Sequence, residues 1–138
     1  MYQTRQVEIV ERLPTVDEYL QLRSSVDWPT VSAEAAERGL QKSLYSICAV
    51  LDGKLVGHGR VVGDGALYFY IQDVAVLQQY QGCKIGPQIM DAIMQWIDSR
   101  ASHNSFVGLM AAKDVAVFYY RYGFTERPAD RPGMYKRT

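Results

Sequence analysis

The sequence predicts one domain, residues 1–138, of the α/β (α+β) class. Its length of 138 residues is that of an ordinary single domain, and its hydrophobic fraction of 48% is enough to build a core. No internal repeat or low-complexity linker divides the chain. The hydrophobic pattern alternates between periods of two and 3.6, in the order strand, two helices, three strands, helix, strand, helix and strand.

The N-terminal quarter predicts a strand followed by two helices. Residues 6–11 alternate loosely between apolar and polar side chains, which is typical of a strand with one exposed face. Thr15 and Glu18 have the spacing of a capping box, so we expect a helix from there to about Val26. Ser32 is placed to cap a second, more polar helix.

The next third predicts an antiparallel meander of three strands. Tyr45–Leu51 and Leu55–Val62 flank Asp52-Gly53, which is a typical hairpin turn. Residues 63–65 make a second turn, and Leu67–Leu77 is a long segment rich in aromatic and β-branched residues.

The C-terminal part predicts helix, strand, helix and strand. Ile85–Ile97 has apolar residues three and four apart and is the clearest helix in the chain. Phe106–Met110 has the pattern of a buried strand, and residues 114–122 that of a short helix ending at Gly123. Met134–Lys136 is the last predicted strand.

Charge and cysteine usage exclude several classes of function. Fifteen basic and fifteen acidic residues give zero net charge, so no basic field would attract nucleic acid. Cys48 and Cys83 have no metal-ligand spacing, and we expect a reduced protein without a metal. Residues 1–10 have no apolar signal core, and no apolar run is long enough to span a membrane. We therefore predict a cytoplasmic protein with no nucleic-acid or membrane partner.

The segment from Asp73 to Gly86 predicts an anion site. A strand ends there, a loop containing Gly82 follows, and a helix begins. The start of a helix offers unpaired N–H groups and partial positive charge, and Lys84 can add a full charge. The glycine spacing taken alone favours a simpler interpretation, a tight turn with close helix–sheet contact.

Two segments resemble motifs of the GNAT N-acetyltransferase superfamily. Gln81–Gly86, QGCKIG, is similar to the family's pyrophosphate motif Gln/Arg-x-x-Gly-x-Gly/Ala, with Lys84 in place of the first glycine. Phe118–Phe124, FYYRYGF, resembles the family's Phe-Tyr-x-Lys/Arg-x-Gly-Phe signature. Lys113 stands where the family often has asparagine. The strong part of the resemblance covers residues 67–124.

The resemblance implies a fold and an acetyl donor. It implies a sheet of about six to seven strands, about four helices, and a V-shaped split between two parallel central strands that binds acetyl-CoA. The residues that it assigns to acetyl-CoA binding are Val74, Ala75, Val76, Gln81, Gly82, Cys83, Lys84, Ile85, Gly86, Lys113, Phe118 and Tyr119.

The resemblance also implies candidates for catalysis. Tyr119 is the candidate general acid for the departing thiolate, because a tyrosine with a pKa near ~10 is protonated at neutral pH. The alternative is an aromatic residue of the core. Asp73 and His58 are candidate bases for the attacking amine, and ordered water is the alternative to both.

We expect the acceptor amine to lie near the first two helices and the meander. An acidic side chain there would suit an amine and a basic one an anionic group, although each residue taken singly is better explained by structure. The residues predicted to line this site are Asp27, Trp28, Arg60, Tyr68 and Tyr70.

The leading functional hypothesis is acetyl-CoA-dependent N-acetylation of a small-molecule amine, such as an amino sugar, through a ternary complex. The alternatives are acetylation of proteins or peptides and a non-catalytic CoA-binding sensor. Lys84 and Lys113, at altered motif positions, motivate the sensor hypothesis, whereas retention of the Tyr119 motif favours an enzyme. A homodimer is a further expectation.

Overall fold

The computed structural model describes residues 6–138 as a five-stranded mixed sheet with helices on both faces. Residues 1–5 lie outside the described part. They belong to the segment 1–10, for which the sequence predicts no apolar signal core. The elements in chain order are β1 (Glu8–Glu11), α1 (Val16–Ser25), α2 (Ala33–Gln41), β2 (Tyr45–Leu51), β3 (Lys54–Gly63), β4 (Tyr68–Val76), a 3-10 turn (Gln78–Tyr80), α3 (Ile85–Arg100), β5 (Phe106–Gly108) and α4 (Ala116–Tyr120).

The sheet has the strand order β1-β2-β3-β4-β5, with antiparallel pairing throughout except between β4 and β5. Those two strands are parallel and pair at only three positions, from Tyr68 with Phe106 to Tyr70 with Gly108. Beyond Tyr70, β4 continues to Val76, and no strand among residues 6–138 pairs with it on that side. The predicted meander is therefore present, and the two parallel strands separate beyond Tyr70 to form a split. The prediction that both strands are central is wrong for the described residues, because β5 is the edge strand of their sheet.

Helix α3 packs closely against the middle of the sheet. Ile89, Ile93 and Ile97 of this helix are almost fully buried. Gly59 of β3 makes the close approach possible, since a Cβ atom at that position would lie 2.8 Å from carbons of both Ile89 and Ile93. Helices α1 and α2 contact each other, and α1 also packs against β3 and β4.

The predicted helix starts are confirmed. The Thr15 hydroxyl accepts from the Glu18 N–H at 3.1 Å, and the Glu18 carboxylate accepts from the Thr15 N–H at 2.8 Å. The Ser32 hydroxyl accepts from the N–H of Ala35 at 3.1 Å and caps α2. Because the capping side chains satisfy N–H groups that the helix cannot, both boundaries were readable from sequence.

The prediction of six to seven strands is wrong for the described residues, which contain five. Met134–Lys136 does not form a strand; Met134 is 86% exposed and Tyr135 75% exposed. The prolines at 128 and 132 flank a turn in which the Arg131 N–H bonds to the Pro128 carbonyl, and proline cannot donate to a sheet ladder. Strand β5 ends at Gly108 instead of Met110. It is not the buried strand that was predicted, since Phe106 is 45% exposed and β5 lies at the edge of the described sheet.

Within residues 6–138, no helix is both long and apolar enough to cross a membrane.

Candidate active site

A bulge in β4 marks the point where the split opens. Gln72 pairs with Arg60 and Ala75 with His58, so Asp73 and Val74 together lie opposite a single residue of β3. Asp73 adopts a left-handed backbone conformation with φ of 60°. A bulge of this kind bends the strand and redirects its side chains.

The bulge directs the carboxylate of Asp73 into a polar network. Its Oδ2 accepts from Arg60 Nε at 2.7 Å and from the Tyr19 hydroxyl at 2.8 Å, and its Oδ1 lies 3.5 Å from Arg23 Nη1. The Asp73 side chain is only 8% exposed. Because two guanidinium groups and a hydroxyl already engage this carboxylate, its surroundings favour a structural role over that of the catalytic base.

The unpaired edge of β4 presents backbone groups to the split. Leu77 donates its N–H to Val56 of β3 at 2.8 Å, so the alternating pattern directs Val76 to the opposite edge. The Gln81 side-chain amide donates to the Val76 carbonyl at 3.1 Å, which agrees with that direction. This edge has the direction that an added strand requires, although Gln81 already donates to the Val76 carbonyl. The pairing of a ligand with Val74 and Val76 stays a prediction.

The loop between β4 and α3 has two left-handed residues, Gly82 with φ of 85° and Lys84 with φ of 64°. Lys84 is the N-cap of α3 and makes no capping hydrogen bond with its side chain. The first N–H groups of α3, from Lys84 to Gly86, have no partner within the helix. They lie at the positive end of a helix of 16 residues.

Helix α4 brings the second predicted motif against the first. Phe118 Cζ lies 3.8 Å from where a Cβ atom on Gly86 would be. The Tyr122 hydroxyl donates to the Pro87 carbonyl at 3.4 Å. The two motifs, separated by about thirty residues in sequence, therefore meet across the mouth of the split.

Together these elements enclose a groove of about 570 Å³, which we call the donor groove. Its two charged lining residues in the described chain are Lys84 and Arg121, both cationic, so the groove suits an anionic ligand. The lining residues are Val26, Trp28, Val74, Ala75, Val76, Tyr80, Gln81, Gly82, Lys84, Ile85, Gly86, Pro87, Ala112, Val115, Phe118, Tyr119 and Arg121.

A second cavity of about 400 Å³, the acceptor pocket, adjoins the donor groove. It lies over the opposite side of the split, between the loop after α1, the bulge and the segment after β5. Four residues line both cavities: Trp28, Val74, Ala112 and Tyr119. The other residues of the acceptor pocket are Arg23, Pro29, Ile71, Gln72, Asp73, Leu109, Met110, Ala111, Tyr135, Lys136 and Arg137.

Tyr119 stands at the junction of the two cavities. Its side chain is 8% exposed, and its ring packs edge-on against Phe118 and Phe124. Burial raises the pKa of its hydroxyl, with no charged neighbour contributing. The hydroxyl therefore stays protonated at neutral pH, as a general acid requires.

Trp28 is held at the same junction by Arg23. The Arg23 guanidinium lies 5.7 Å from the centroid of the Trp28 ring and donates through Nη2 to the Pro29 carbonyl at 2.7 Å. Arg23 thus fixes the loop that carries Trp28, and the predicted contact of Trp28 with an acceptor stays a prediction.

Several other predicted residues lie outside both cavities. Asp27 is exposed at the turn after α1, and Lys113 is exposed in a turn before α4. Arg60 binds Asp73, Gly39 and Ser43 instead of lining the acceptor pocket.

The two predicted tyrosines of β4 also lie apart from the acceptor pocket. Tyr68 is 60% exposed and packs against Phe106. Tyr70 lines a separate cavity near β5.

Neither cysteine lies in position to carry an acyl group. Cys83 is exposed and lies outside the donor groove. Its N–H donates to the Tyr80 carbonyl at 3.3 Å, so this N–H is not free for the cofactor contact that was predicted. Cys48 is fully buried, and burial raises the pKa of its thiol to about 11. Among the described residues, no group of three or more His, Cys, Asp or Glu side chains could hold a metal ion.

His58, the second candidate base, lies in the core of the fold. It is fully buried, and its Nε2 lies 3.0 Å from the Ser46 hydroxyl. Burial lowers the pKa of its imidazole to about 4. A neutral, sealed imidazole has no path to an acceptor amine, so the geometry does not support His58 as the base.

The sequence analysis did not predict Arg121, Arg23 or the segment Tyr135–Arg137 as parts of the site. Arg121 was visible as the basic position of the second motif. Arg23 and the segment Tyr135–Arg137 carry no local sequence signal, because only the tertiary fold brings them to the acceptor pocket.

Comparisons with known proteins agree on one family. The sequence profile of the acetyltransferase (GNAT) domain matches residues 43–126, well over half of the chain. The chain is 29% identical over 119 residues to an uncharacterized N-acetyltransferase, ycf52, of Pyropia yezoensis, covering 83% of this chain and 67% of that protein.

Two solved structures extend the agreement to nearly the whole chain. A probable acetyltransferase of unknown function from methicillin-resistant Staphylococcus aureus shares 34% identity with a TM-score of 0.92, covering 96% of this chain and 100% of that one. A GNAT-family acetyltransferase from Streptococcus pneumoniae TIGR4 shares 28% identity with a TM-score of 0.80, covering 96% and 98%.

Proposed function

Because the chain belongs to the GNAT acetyltransferase family and is therefore an acyltransferase, we propose that it transfers the acetyl group of acetyl-CoA directly to the primary amine of a small molecule. The observation that carries this proposal is the shared wall of the two cavities. Trp28, Val74 and Tyr119 line both the donor groove and the acceptor pocket. A thioester in one and an amine in the other would meet at these residues.

The donor groove provides for each part of acetyl-CoA. The N–H groups at the start of α3, with Lys84 and Arg121 beside them, would bind the pyrophosphate. The unpaired edge of β4 would pair with the pantetheine arm. A backbone N–H of that edge would stabilise the negative oxygen that develops on the thioester carbonyl.

The transfer then needs few proton movements. The amine nitrogen bonds to the carbonyl carbon, the carbon–sulfur bond breaks, and Tyr119 gives its proton to the departing thiolate. The amine's proton leaves through the open acceptor pocket to water, which restores Tyr119. No dedicated base is assigned, since Asp73 is engaged by arginines and His58 is sealed in the core.

The placement of the cysteines supports a ternary complex in preference to an acyl-enzyme. A thiol carrier would have to face both cavities, and neither Cys48 nor Cys83 lines either of them. The existence of a second cavity joined to the first also favours an enzyme over a CoA-binding sensor, which needs only the donor groove.

The first experiment is calorimetric titration with acetyl-CoA and with S-acetylpantetheine, which lacks the pyrophosphate. We expect acetyl-CoA to bind at least ~10-fold more tightly, since charge-assisted bonds to phosphate are strong. Purified protein that fails to bind millimolar acetyl-CoA would overturn the proposal.

The second experiment tests direct transfer. Protein is incubated with acetyl-CoA alone and examined by intact mass, and release of free thiol is then followed with a panel of amines. We expect no acetylated protein without an acceptor, and thiol release only when an amine is present. A stable acetyl adduct on the protein would contradict the ternary mechanism.

A further inference from the structure

We propose that the acceptor is an amine that also carries a carboxylate or phosphate group, and that Lys136 and Arg137 recognise this anion. This inference rests on the proposed function, because it concerns the acceptor pocket. It goes further by naming the chemical class of molecule that the pocket takes.

The charges that line the acceptor pocket carry the inference. Arg23, Lys136 and Arg137 are basic, whereas Asp73 is the one acidic lining residue in the described chain. Asp73 is already bonded to Arg60 Nε at 2.7 Å, with Arg23 3.5 Å away. The carboxylate is therefore neutralised within the protein, and the pocket keeps an excess of positive charge.

Lys136 and Arg137 hold the free part of that charge. Both side chains are exposed and line the pocket, and neither forms an ion pair with a described residue. Arg23, in contrast, is committed to Tyr19, Asp73 and the Pro29 carbonyl. An anionic group of the acceptor would thus bind at the outer rim, while the amine points inward to Tyr119.

The same charges help the amine to react. A cationic surrounding disfavours the ammonium form, so it lowers the pKa of a bound ammonium and increases the neutral, nucleophilic fraction. A pocket for an acceptor without an anionic group would hold the ammonium through a free carboxylate. Asp27, the residue predicted for that purpose, lies outside the pocket.

The test compares acceptors in matched pairs that differ only in the anion. One pair is an amino acid and its carboxamide; the other is an amino sugar phosphate and the unphosphorylated sugar. In at least one pair, we expect kcat/KM to be at least ~10-fold higher for the anionic member than for the neutral member. The neutral member lacks the charge-assisted contacts with the protein. The pair with the larger ratio distinguishes carboxylate from phosphate.

The double variant Lys136→Gln/Arg137→Gln should remove most of that preference and leave the affinity for acetyl-CoA unchanged. The matched control Arg38→Gln/Lys42→Gln removes two exposed basic residues of the α2 region, outside the acceptor pocket, and should keep the preference. With acetyl-CoA kept saturating, raising the salt concentration should lower kcat/KM for the anionic acceptor more than for its neutral counterpart, because exposed charges are screened.

The outcomes separate this inference from the proposed function. Equal or faster transfer to the neutral members, or a preference that survives in the double variant, overturns the anion site while acetyl transfer stands. Transfer to peptide amines but to none of the small molecules overturns the small-molecule assignment. A protein that binds acetyl-CoA and acetylates no amine refutes both.

Discussion

Tyr119 is the side chain on which the proposed chemistry depends most. Of the four described residues that line both cavities, it is the one that carries a hydroxyl. Burial raises its pKa above the ordinary value of ~10, so the hydroxyl is protonated at neutral pH.

We predict that Tyr119→Phe lowers kcat by about 100-fold and leaves acetyl-CoA binding unchanged, because the ring packing remains while the proton donor is lost. Steady-state kinetics and calorimetry measure the two effects. The control is Tyr120→Phe, since the Tyr120 hydroxyl bonds to Glu126 and lies outside the donor groove. Wild-type turnover in Tyr119→Phe would remove the general acid from the mechanism.

His58 makes a second prediction at this scale, on stability and not on catalysis. Its pKa is lowered by burial to about 4, whereas an unfolded histidine titrates near ~6.5. Between these values the unfolded state binds more protons, so the free energy of unfolding falls as the pH falls. The loss should be on the order of 3 kcal/mol across that window.

Denaturant unfolding of wild type and of His58→Gln between pH 4 and 7 measures this effect. The variant should show a smaller slope of unfolding free energy against pH, since the titrating imidazole is gone. Removing the exposed His103 by His103→Gln should preserve the wild-type slope. Parallel profiles for wild type and His58→Gln would mean that His58 binds protons equally in the folded and unfolded states, so burial does not lower its pKa.

At the start of α3, the backbone keeps a left-handed conformation although Lys84 replaces the glycine of the family's motif. Lys84 occupies a position at which the resemblance expected glycine, and its φ of 64° is one that glycine adopts more easily. The left-handed conformation costs an ordinary residue about 1–2 kcal/mol. The backbone path of the anion loop is thus kept, and Lys84 adds a charge at a cost in strain.

We predict that Lys84→Gly stabilises the protein by about 0.5–1 kcal/mol, the relief of strain less the greater flexibility of glycine when unfolded. Chemical denaturation measures the change. Lys42→Gly is the matched control: Lys42 has an ordinary φ of −89°, so glycine there should destabilise. If Lys84→Gly also destabilises, the lysine side chain makes stabilising contacts that outweigh its backbone conformation.

The packing of α3 on β3 gives the second prediction at the scale of elements. A methyl group on Gly59 would lie 2.8 Å from Ile89 and Ile93, so α3 must shift to accommodate it. We predict that Gly59→Ala destabilises by about 1–3 kcal/mol, the usual cost of overpacking, and weakens acetyl-CoA binding because the helix start moves.

Thermal unfolding and calorimetry on the same samples test the two parts together. Gly39→Ala provides the contrast, as a Cβ atom at Gly39 of α2 meets nothing within 4 Å and alanine favours a helix. It should stabilise slightly and leave binding unchanged. Equal stability of Gly59→Ala and wild type would mean that the contact is loose enough to absorb a methyl group.

Sequence could predict those elements whose boundaries are set by local chemistry. The capping residues Thr15 and Ser32, the hairpin at Asp52-Gly53 and the apolar face of α3 all act within a few residues, and each prediction is confirmed. The prediction of a strand at Met134–Lys136 is wrong because a strand needs a neighbouring strand to pair with, and apolar residues alone do not provide one.

The two cavities of the site differ in the same way in how far the sequence predicts them. The donor groove follows two contiguous motifs, so most of its lining was predicted, whereas the acceptor pocket collects single residues from distant segments. Arg23 and Lys136 are more than one hundred positions apart and line one cavity. Asp73 was found, but its pairing with Arg60 depends on a bulge that no sequence pattern marked.

At the scale of the whole molecule, a neutral chain contains two positively charged cavities. The net charge is zero, yet the donor groove and the acceptor pocket each have more basic than acidic lining residues. Anion binding is thus a local property of the split. The predicted homodimer and cytoplasmic location stay predictions, and the donor groove described here is formed within one chain.

The last prediction follows from that single-chain groove. Acetyl-CoA at 100 times its Kd should raise the free energy of unfolding by about 2.7 kcal/mol, because it binds only the folded state. If one chain completes the groove, this gain should be the same at protein concentrations ten-fold apart, whatever the oligomeric state. Denaturant titrations at both concentrations, with sedimentation velocity alongside, provide the measurement. A gain that grows with protein concentration, in step with a dimer in the sedimentation profile, would show that a second subunit contributes to the donor groove. In that case the exposed apolar residues Phe106 and Met110 beside the split would be the first place to look for the contact.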